Sequence, residues 1–188
     1  MDTYRISDAE LLREQRGVVR GSVAAIALSA AVLGAAHFVL PKLVRFPGGD
    51  IESALNFWAG ASLFVVLWVI LGIRLVSQGR RHSALDIRGS AFAPPSERIA
   101  VQAAFLQNTL EQAVVMMVTH FAMLMLLRES VMPLIAASVV LFSFGRLSFY
   151  RNYPKGAAAR AFGMALTAVP SIVAFVAALL ALVHQIWQ

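Results

Sequence analysis

Long uninterrupted stretches of apolar residues dominate the hydrophobic pattern of this chain. Five of them reach roughly the 20 residues that a helix needs to cross a bilayer. The stretches cover residues 18–40, 54–73, 99–127, 131–149 and 161–187. The pattern therefore predicts an all-α membrane protein with five spans.

The ends of these stretches carry helix-boundary signals. Pro41 follows the first stretch and is expected to end it, whereas Pro133 lies in a first turn, where its missing N–H is tolerated. Pro170 lies inside the last stretch and predicts a kink that packed neighbours must absorb. Residues 1–17 are predicted to be an amphipathic segment on the cytoplasmic side. Within it, residues 7–17 are predicted to form a short helix on the membrane surface, capped by Ser7 with Glu10 three residues on.

Composition supports a membrane protein and narrows its chemistry. Hydrophobic residues make up 59% of the 188 residues and charged residues 14%, whereas about one quarter of a soluble domain is charged. Because there is no cysteine, disulfides, thiol catalysis by the protein and thiolate metal sites are excluded. The four histidines show no local ligand spacing, so no metal site is predicted.

The distribution of positive charge predicts the orientation. Thirteen of the 16 Lys and Arg residues lie in alternate flanking segments (1–20, 74–98 and 146–160), against three in the others. Because positive residues accumulate on the cytoplasmic side, the N-terminus should be cytoplasmic and the C-terminus external. This asymmetry explains the net charge of +6 without a nucleic-acid partner and favours an odd number of spans. The expected location is a bacterial inner membrane.

One acidic residue, Glu111, lies inside the third predicted span. Asn108 is three residues earlier and shares its helix face. A charge at mid-membrane depth costs about 2.5–3.5 kcal/mol on insertion scales, so Glu111 is expected to have a partner, and arginines later in the chain are the candidates.

These candidates belong to a polar and aromatic stripe at the end of the fourth span. It recurs at three- and four-residue steps and consists of Arg146, Phe149, Tyr150 and Tyr153, with Arg160 just before the fifth span. A carboxylate, an amide, arginines and a tyrosine near one membrane face suit a small zwitterionic ligand, because Glu binds an amine and Arg binds carboxylates. An arginine near a thiol also favours the reactive thiolate.

The pattern NxxE (Asn108, Glu111) followed by RxxxxxxYxxxxxxR (Arg146, Tyr153, Arg160) resembles the MAPEG family, the membrane-associated proteins in eicosanoid and glutathione metabolism. The stretch GAAARAFGMALTAVPS, residues 156–171, is similar to bacterial members. The resemblance covers residues 53–188 as a four-helix domain, so that the helix at 18–40 would be an addition.

The resemblance implies a homotrimer that binds glutathione between subunits near the cytoplasmic face. Glutathione would be a co-substrate whose thiolate attacks a small lipophilic substrate from the membrane. Asn108, Glu111, Arg146 and Tyr153 would bind it, and Arg160 would be the catalytic residue that stabilises the thiolate. Two positions depart from the pattern: Ala104 stands where the family's enzymes usually have an arginine, and Phe149 where many have a tyrosine.

Other interpretations of the same residues stay open. Asn108 and Glu111 could form a buried polar network that pins helices together, and Arg160 could be an interfacial anchor. A non-catalytic protein that binds membrane lipid and presents it to a partner would fit the two departures. A transporter using Glu111 as a proton relay is the weakest alternative, because no inverted repeat is seen.

Overall fold

Five α-helices build the part of the protein that the structure describes. The computed structural model describes residues 6–188, and no strand occurs in that range. The helices are α1 (Asp8–Leu43), α2 (Ile51–Arg81), α3 (Glu97–Leu127), α4 (Met132–Asn152) and α5 (Ala157–Ile186), and short 3-10 turns cover Arg128–Val131 and Tyr153–Lys155. The all-α prediction is confirmed.

Four segments are long and apolar enough to cross a membrane. They are Asp8–Leu43, Ile51–Arg81, Glu97–Lys155 and Ala157–Ile186. The third is the longest, with 59 residues, and contains both α3 and α4. Since these segments make up most of the chain, the protein is a helical membrane protein with several membrane passes.

Helices α3 and α4 form an antiparallel hairpin around the turn at Arg128–Val131. Near the turn, Leu124 and Met132 share a buried apolar cluster. Farther away, Met116 packs with Phe142, and at the open end Phe105 contacts Tyr150 with ring centroids 4.9 Å apart. The hairpin therefore brings the first half of α3 beside the last turns of α4.

The contacts between helix ends show which ends of the helices lie together. Glu14 near the start of α1 accepts a 2.7 Å hydrogen bond from the backbone N–H of Ala158 in the first turn of α5. At the opposite end, the side chain of Glu129 lies against Gly49 in the α1–α2 connection. The three segments rich in Lys and Arg therefore lie at one end of the bundle, as the charge distribution requires.

The N-terminal segment does not form a separate surface helix. The helix begins after Ser7, whose Oγ accepts a 3.3 Å hydrogen bond from the N–H of Glu10, so the predicted cap is confirmed. It then runs without a break through the first predicted span and through Pro41 to Leu43. Residues 1–5 lie outside the described residues. The expected boundary at residue 17 was wrong, because α1 packs along α5 from its first turns. The expected end at Pro41 was wrong by two residues, since the helix continues to Leu43.

Glycines allow close helix contact at two places in the bundle. Gly17 faces Ala158, and a Cβ on Gly21 would lie 3.0 Å from the backbone nitrogen of Phe162, so α1 lies directly on α5. Between α4 and α5, a Cβ on Gly145 would lie 2.9 Å from the carbonyl oxygen of Gly163. Both interfaces belong to the end of the bundle that carries the candidate site.

Candidate functional site

Arg146 is the centre of the polar contacts between α3, α4 and α5. Its side chain is completely buried (0% exposed). Its Nη1 donates a 2.7 Å hydrogen bond to Oδ1 of Asn108, and its Nη2 donates to the hydroxyl of Thr167. Its Nε has no hydrogen-bond partner among residues 6–188. A buried guanidinium therefore joins three helices through neutral oxygen atoms.

Aromatic rings surround the same guanidinium and extend the site toward the helix ends. The Arg146 Cζ lies 4.8 Å from the ring centroid of Phe149, whose ring packs edge-on against Tyr153 at 5.3 Å. The Arg160 Cζ lies 4.2 Å from the ring centroid of Tyr153. Cations stacked on aromatic faces are stabilised by the ring quadrupole. We call this row of Arg146, Phe149, Tyr153 and Arg160 the stacked row.

The outer half of the stacked row is accessible, whereas the inner half is not. Arg146 and Phe149 are buried, while Tyr153 and Arg160 are half-buried. The one ion pair among residues 6–188 joins Arg13 to Glu10, so neither arginine of the row has a carboxylate partner there. Arg160 is thus a cation, within reach of solvent, that could bind an anionic group.

Glu111 is not part of this arrangement. Its side chain is exposed on the surface of α3, where Oε1 accepts a 2.8 Å hydrogen bond from Nε2 of Gln107 one turn earlier. The expectation that Glu111 pairs with Arg146 or Arg160 was wrong, because Asn108 takes the position facing Arg146. On α3, the Asn108 amide and not the Glu111 carboxylate supplies an oxygen for the buried guanidinium.

The two positions that depart from the MAPEG-like motif, Phe149 and Ala104, both lie at the end of the bundle that carries Arg146. Phe149 is 2% exposed and fills the space between Arg146 and Tyr153, so this position has an aromatic ring without the hydroxyl of a tyrosine. Ala104 is half-buried on α3, and Arg98 points elsewhere: its Nη1 donates a 2.8 Å hydrogen bond to the carbonyl of His82. Arg98 therefore holds the end of α2 and does not replace the missing arginine.

Sequence reasoning missed two residues that complete the site. Thr167 on α5 binds Arg146, and its hydroxyl also donates a 2.7 Å hydrogen bond to the carbonyl of Met164. Phe105 on α3 packs against Tyr150 and Phe149. Phe105 lies three residues before Asn108, so helical spacing could have placed it on the same face. No spacing rule links Thr167 to Arg146, because they lie on different helices.

The histidines do not come together. His120 is 2% exposed in the middle of α3, where its Nδ1 lies 2.8 Å from the carbonyl oxygen of Met116. Within residues 6–188, no group of three His, Asp or Glu side chains could hold a metal ion.

These observations define a helical membrane protein with several membrane passes and a buried arginine near one end of the bundle. No family model, curated protein or solved structure matches the chain. The resemblance stated above therefore rests on the motif residues alone.

Proposed function

We propose that the protein is a MAPEG-like enzyme that uses glutathione against lipophilic substrates in the membrane. The observation that carries this proposal is Arg160, a half-buried guanidinium stacked on Tyr153 with no carboxylate oxygen of residues 6–188 within 4.0 Å. Such a cation favours a thiolate or a carboxylate as its partner. Glutathione carries both groups. Its thiolate would form a carbon–sulfur bond with an electrophile as the leaving group departs. With a hydroperoxide, the thiolate would attack the terminal peroxide oxygen and release the alcohol, and a second glutathione would convert the resulting sulfenic acid to the disulfide and water.

The site residues would then have different roles. Arg160 would hold the thiolate, and Tyr153 would line the site beside it. Because its own guanidinium is fully buried, Arg146 would not touch glutathione and would instead position Asn108 and Phe149, which form the wall of the binding site. Asn108 would keep its amide N–H groups for the ligand, since only its oxygen is used by Arg146.

We further propose five spans, with a cytoplasmic N-terminus and an external C-terminus in a bacterial inner membrane. The antiparallel contacts of α3 and α4 support separate crossings by these two helices. The uneven distribution of Lys and Arg between alternate connections supports the orientation.

A homotrimer would complete the site. Glu111 lies exposed on α3 within a segment of membrane-spanning composition. Exposing a carboxylate to lipid costs about 2.5–3.5 kcal/mol of free energy. Contact of Glu111 with a polar surface of a neighbouring copy would therefore be more stable than contact with lipid. In such an assembly Glu111 would bind the amine of glutathione at the boundary between two copies.

A second function has specific support: a non-catalytic protein that binds membrane lipid. The Arg146 guanidinium already donates to Asn108 and Thr167, and position 104 is an alanine, which offers no positive charge to glutathione. In addition, an apolar groove of about 570 Å³ runs between α2 and α4, lined by Phe57, Phe64 and Val140 among others. Such a groove suits an acyl chain.

Glutathione binding to the purified protein in detergent separates the two functions. Calorimetry should show saturable binding for the wild type, with affinity reduced about 10- to 100-fold in Arg160→Ala and in Glu111→Gln, because each removes a charge-assisted contact. Arg151→Ala is the matched control, since Arg151 is exposed at the same end and makes none of the contacts described.

Activity with a chloronitroaromatic electrophile should likewise fall in Arg160→Ala and in Glu111→Gln, and it should stay at the wild-type level in Arg151→Ala. The absence of binding at millimolar glutathione would contradict the enzyme, and a lipid held in the groove between α2 and α4 irrespective of thiol would favour the lipid-binding protein.

A further inference from the structure

The C-terminal end of α2 carries a stripe of exposed polar and basic side chains. They recur at three- and four-residue steps, so they share one helix face. They are Arg74, Ser77, Gln78, Arg81 and His82, and they line a concave site of about 200 Å³. None of the acidic side chains in residues 6–188 lines it.

A second hollow of about 470 Å³ adjoins this stripe and shares Ser77 and Arg81 with it. Its remaining surface is mostly apolar, formed by Ile73 and Val76 of α2, Ile87 of the α2–α3 loop and Leu106 of α3, with Arg80 at the edge. Arg81 therefore lies between a polar hollow and an apolar one.

The two arginines of the polar stripe lack acidic partners. No carboxylate oxygen lies within 4.0 Å of Arg74 or Arg81 among residues 6–188, where the one ion pair is Arg13 with Glu10. Arg80 differs, because it lies near Asp86 and donates to the hydroxyl of Ser90. Arg74 and Arg81 are thus the guanidinium groups available for an external anion.

The position of the stripe along α2 corresponds to the headgroup layer. The apolar span of α2 ends at residue 73, and each further residue adds about 1.5 Å along the helix. Ser77 and Gln78 therefore lie about 6–8 Å beyond the hydrocarbon boundary, whereas the headgroup layer is about 5–7 Å thick in each leaflet. Arg74 lies at the inner side of this layer, whereas the backbone of Arg81 lies about 12 Å beyond the boundary, just past the layer, so that its long side chain can reach back to the headgroups.

The α2–α3 loop supports the same placement. It turns back so that Ile87 lines the apolar hollow beside Ile73. Leu85, Ile87 and Phe92 are 78%, 62% and 76% exposed. Large apolar side chains next to arginines are typical of segments that lie at a membrane interface.

We propose that this surface is a binding site for one anionic glycerophospholipid. Arg74 and Arg81 bind the phosphate, Ser77 and Gln78 offer further hydrogen bonds, and the apolar hollow receives the start of an acyl chain. The site lies apart from the stacked row, and the inference does not depend on glutathione.

Native mass spectrometry of the detergent-purified protein tests the proposal. The probes are phosphatidylglycerol and phosphatidylcholine with identical acyl chains. The wild type should retain phosphatidylglycerol preferentially, and the double variant Arg74→Gln/Arg81→Gln should bind it at least tenfold more weakly, because charge-assisted hydrogen bonds are lost. The control Arg151→Gln/Lys155→Gln removes the same charge at the same end of the bundle and should bind as the wild type does.

Two further measurements separate the lipid from other sources of phosphate. Ile87→Ser should weaken the binding of phosphatidylglycerol, because the apolar hollow loses a wall. Glycerol phosphate, which lacks acyl chains, should fail to displace the lipid at equal concentration.

Three results would overturn the proposal: equal loss in the control variant, equal retention of phosphatidylcholine, or efficient displacement by glycerol phosphate. The last would identify a site for a soluble anion instead. The thermal unfolding of both double variants should match that of the wild type, since all four side chains are exposed.

Discussion

Arg146 shows how a cation can be accommodated in an apolar bundle without an acid. Its surroundings consist of an amide oxygen, a hydroxyl and the faces of Phe149 and Phe142. A planar guanidinium suits this set, because it donates in two directions and stacks on rings at the same time. The residue therefore belongs to the architecture of the bundle.

Replacing Arg146 by lysine should destabilise the protein despite the conserved charge. The lysine ammonium can neither reach Asn108 and Thr167 in the same forked geometry nor stack flat on Phe149. We expect the free energy of unfolding to fall by about 1.5–3 kcal/mol, which corresponds to one lost charged hydrogen bond. Denaturation in mixed detergent micelles, followed by circular dichroism, measures it.

Arg151→Lys is the control for this substitution. Arg151 lies on the exposed side of the same helix, so its replacement should leave the free energy of unfolding nearly unchanged. If both variants lose the same stability, the buried contacts of Arg146 do not account for the effect.

Asp86 makes the α2–α3 loop sensitive to acid. Its carboxylate accepts hydrogen bonds from the Ser83 hydroxyl and from Ser96, through the backbone N–H at 2.8 Å and the hydroxyl at 2.6 Å. These bonds, first among them that of Ser83, lower the pKa of Asp86 below its ordinary value of 3.8. The ionised form is therefore the one that closes the loop.

The loop should consequently stay ordered above pH 3.8 and open as the pH falls through the lower pKa of the folded state. Hydrogen exchange of residues 83–96, corrected for the intrinsic pH dependence of exchange, measures the opening. Asp86→Asn should expose the loop at neutral pH and remove most of this dependence. An unchanged acid transition in Asp86→Asn would contradict the assignment.

At the scale of elements, α5 is held by close backbone contact on two sides. α1 contacts it through Gly17 and Gly21. α4 contacts it through Gly145, which faces Gly163 of α5. Small residues at such crossings let helix backbones approach closely, which matters in lipid because dispersion and hydrogen bonding drive helix association there. The crossing of α4 and α5 also brings Thr167 to Arg146.

Gly163→Ala should disrupt this crossing. An added Cβ would lie 2.7 Å from the carbonyl oxygen of Gly145 and still closer to the backbone of Phe149, so the helices must separate. Such overpacking costs about 1–3 kcal/mol in the free energy of unfolding.

Gly34→Ala is the matched control, because a Cβ on Gly34 would meet no atom within 4 Å. Thermal unfolding in detergent should leave this variant close to the wild type, and a comparable loss in both variants would contradict the crossing.

At the scale of the whole molecule, the helix-end contacts and the distribution of charge agree on which ends lie together. The Glu14–Ala158 contact and the Glu129–Gly49 contact mark the two ends of the bundle. The Lys- and Arg-rich segments collect at the first of these ends. Five crossings would place the termini on opposite sides of the membrane.

The lack of native cysteine allows a direct test of this topology. An impermeant maleimide applied to intact cells should label Gln188→Cys. It should label Ser7→Cys only after the membrane is opened. Labelling of both from the same side would contradict five crossings, and the reverse order would contradict the orientation.

The helices could be predicted, with their approximate bounds, because they depend on local properties of the chain. The long apolar stretches correspond to α1–α5 within a few residues at most ends, Ser7 caps α1 as expected, and Pro133 lies in the first turn of α4. The exact end of α1 could not be predicted, because Pro41 is tolerated within a helix when neighbouring structure compensates. Similarly, the pair Gly17 and Gly21 is a GxxxG signal, but its partner on α5 is not visible in the sequence.

The class of the protein, the number of apolar stretches and the distribution of charge can be read from the chain alone, since all three follow from composition and from periodicity along it. The sequence also identified Asn108, Arg146, Tyr153 and Arg160 as a group. Only the tertiary structure decided that Arg146 binds Asn108 and Thr167 and that Glu111 faces outward. Glu14 capping α5 was likewise decided by helix packing. Which of two neighbouring side chains on a helix turns inward depends on helix rotation, and packing between distant segments sets that rotation.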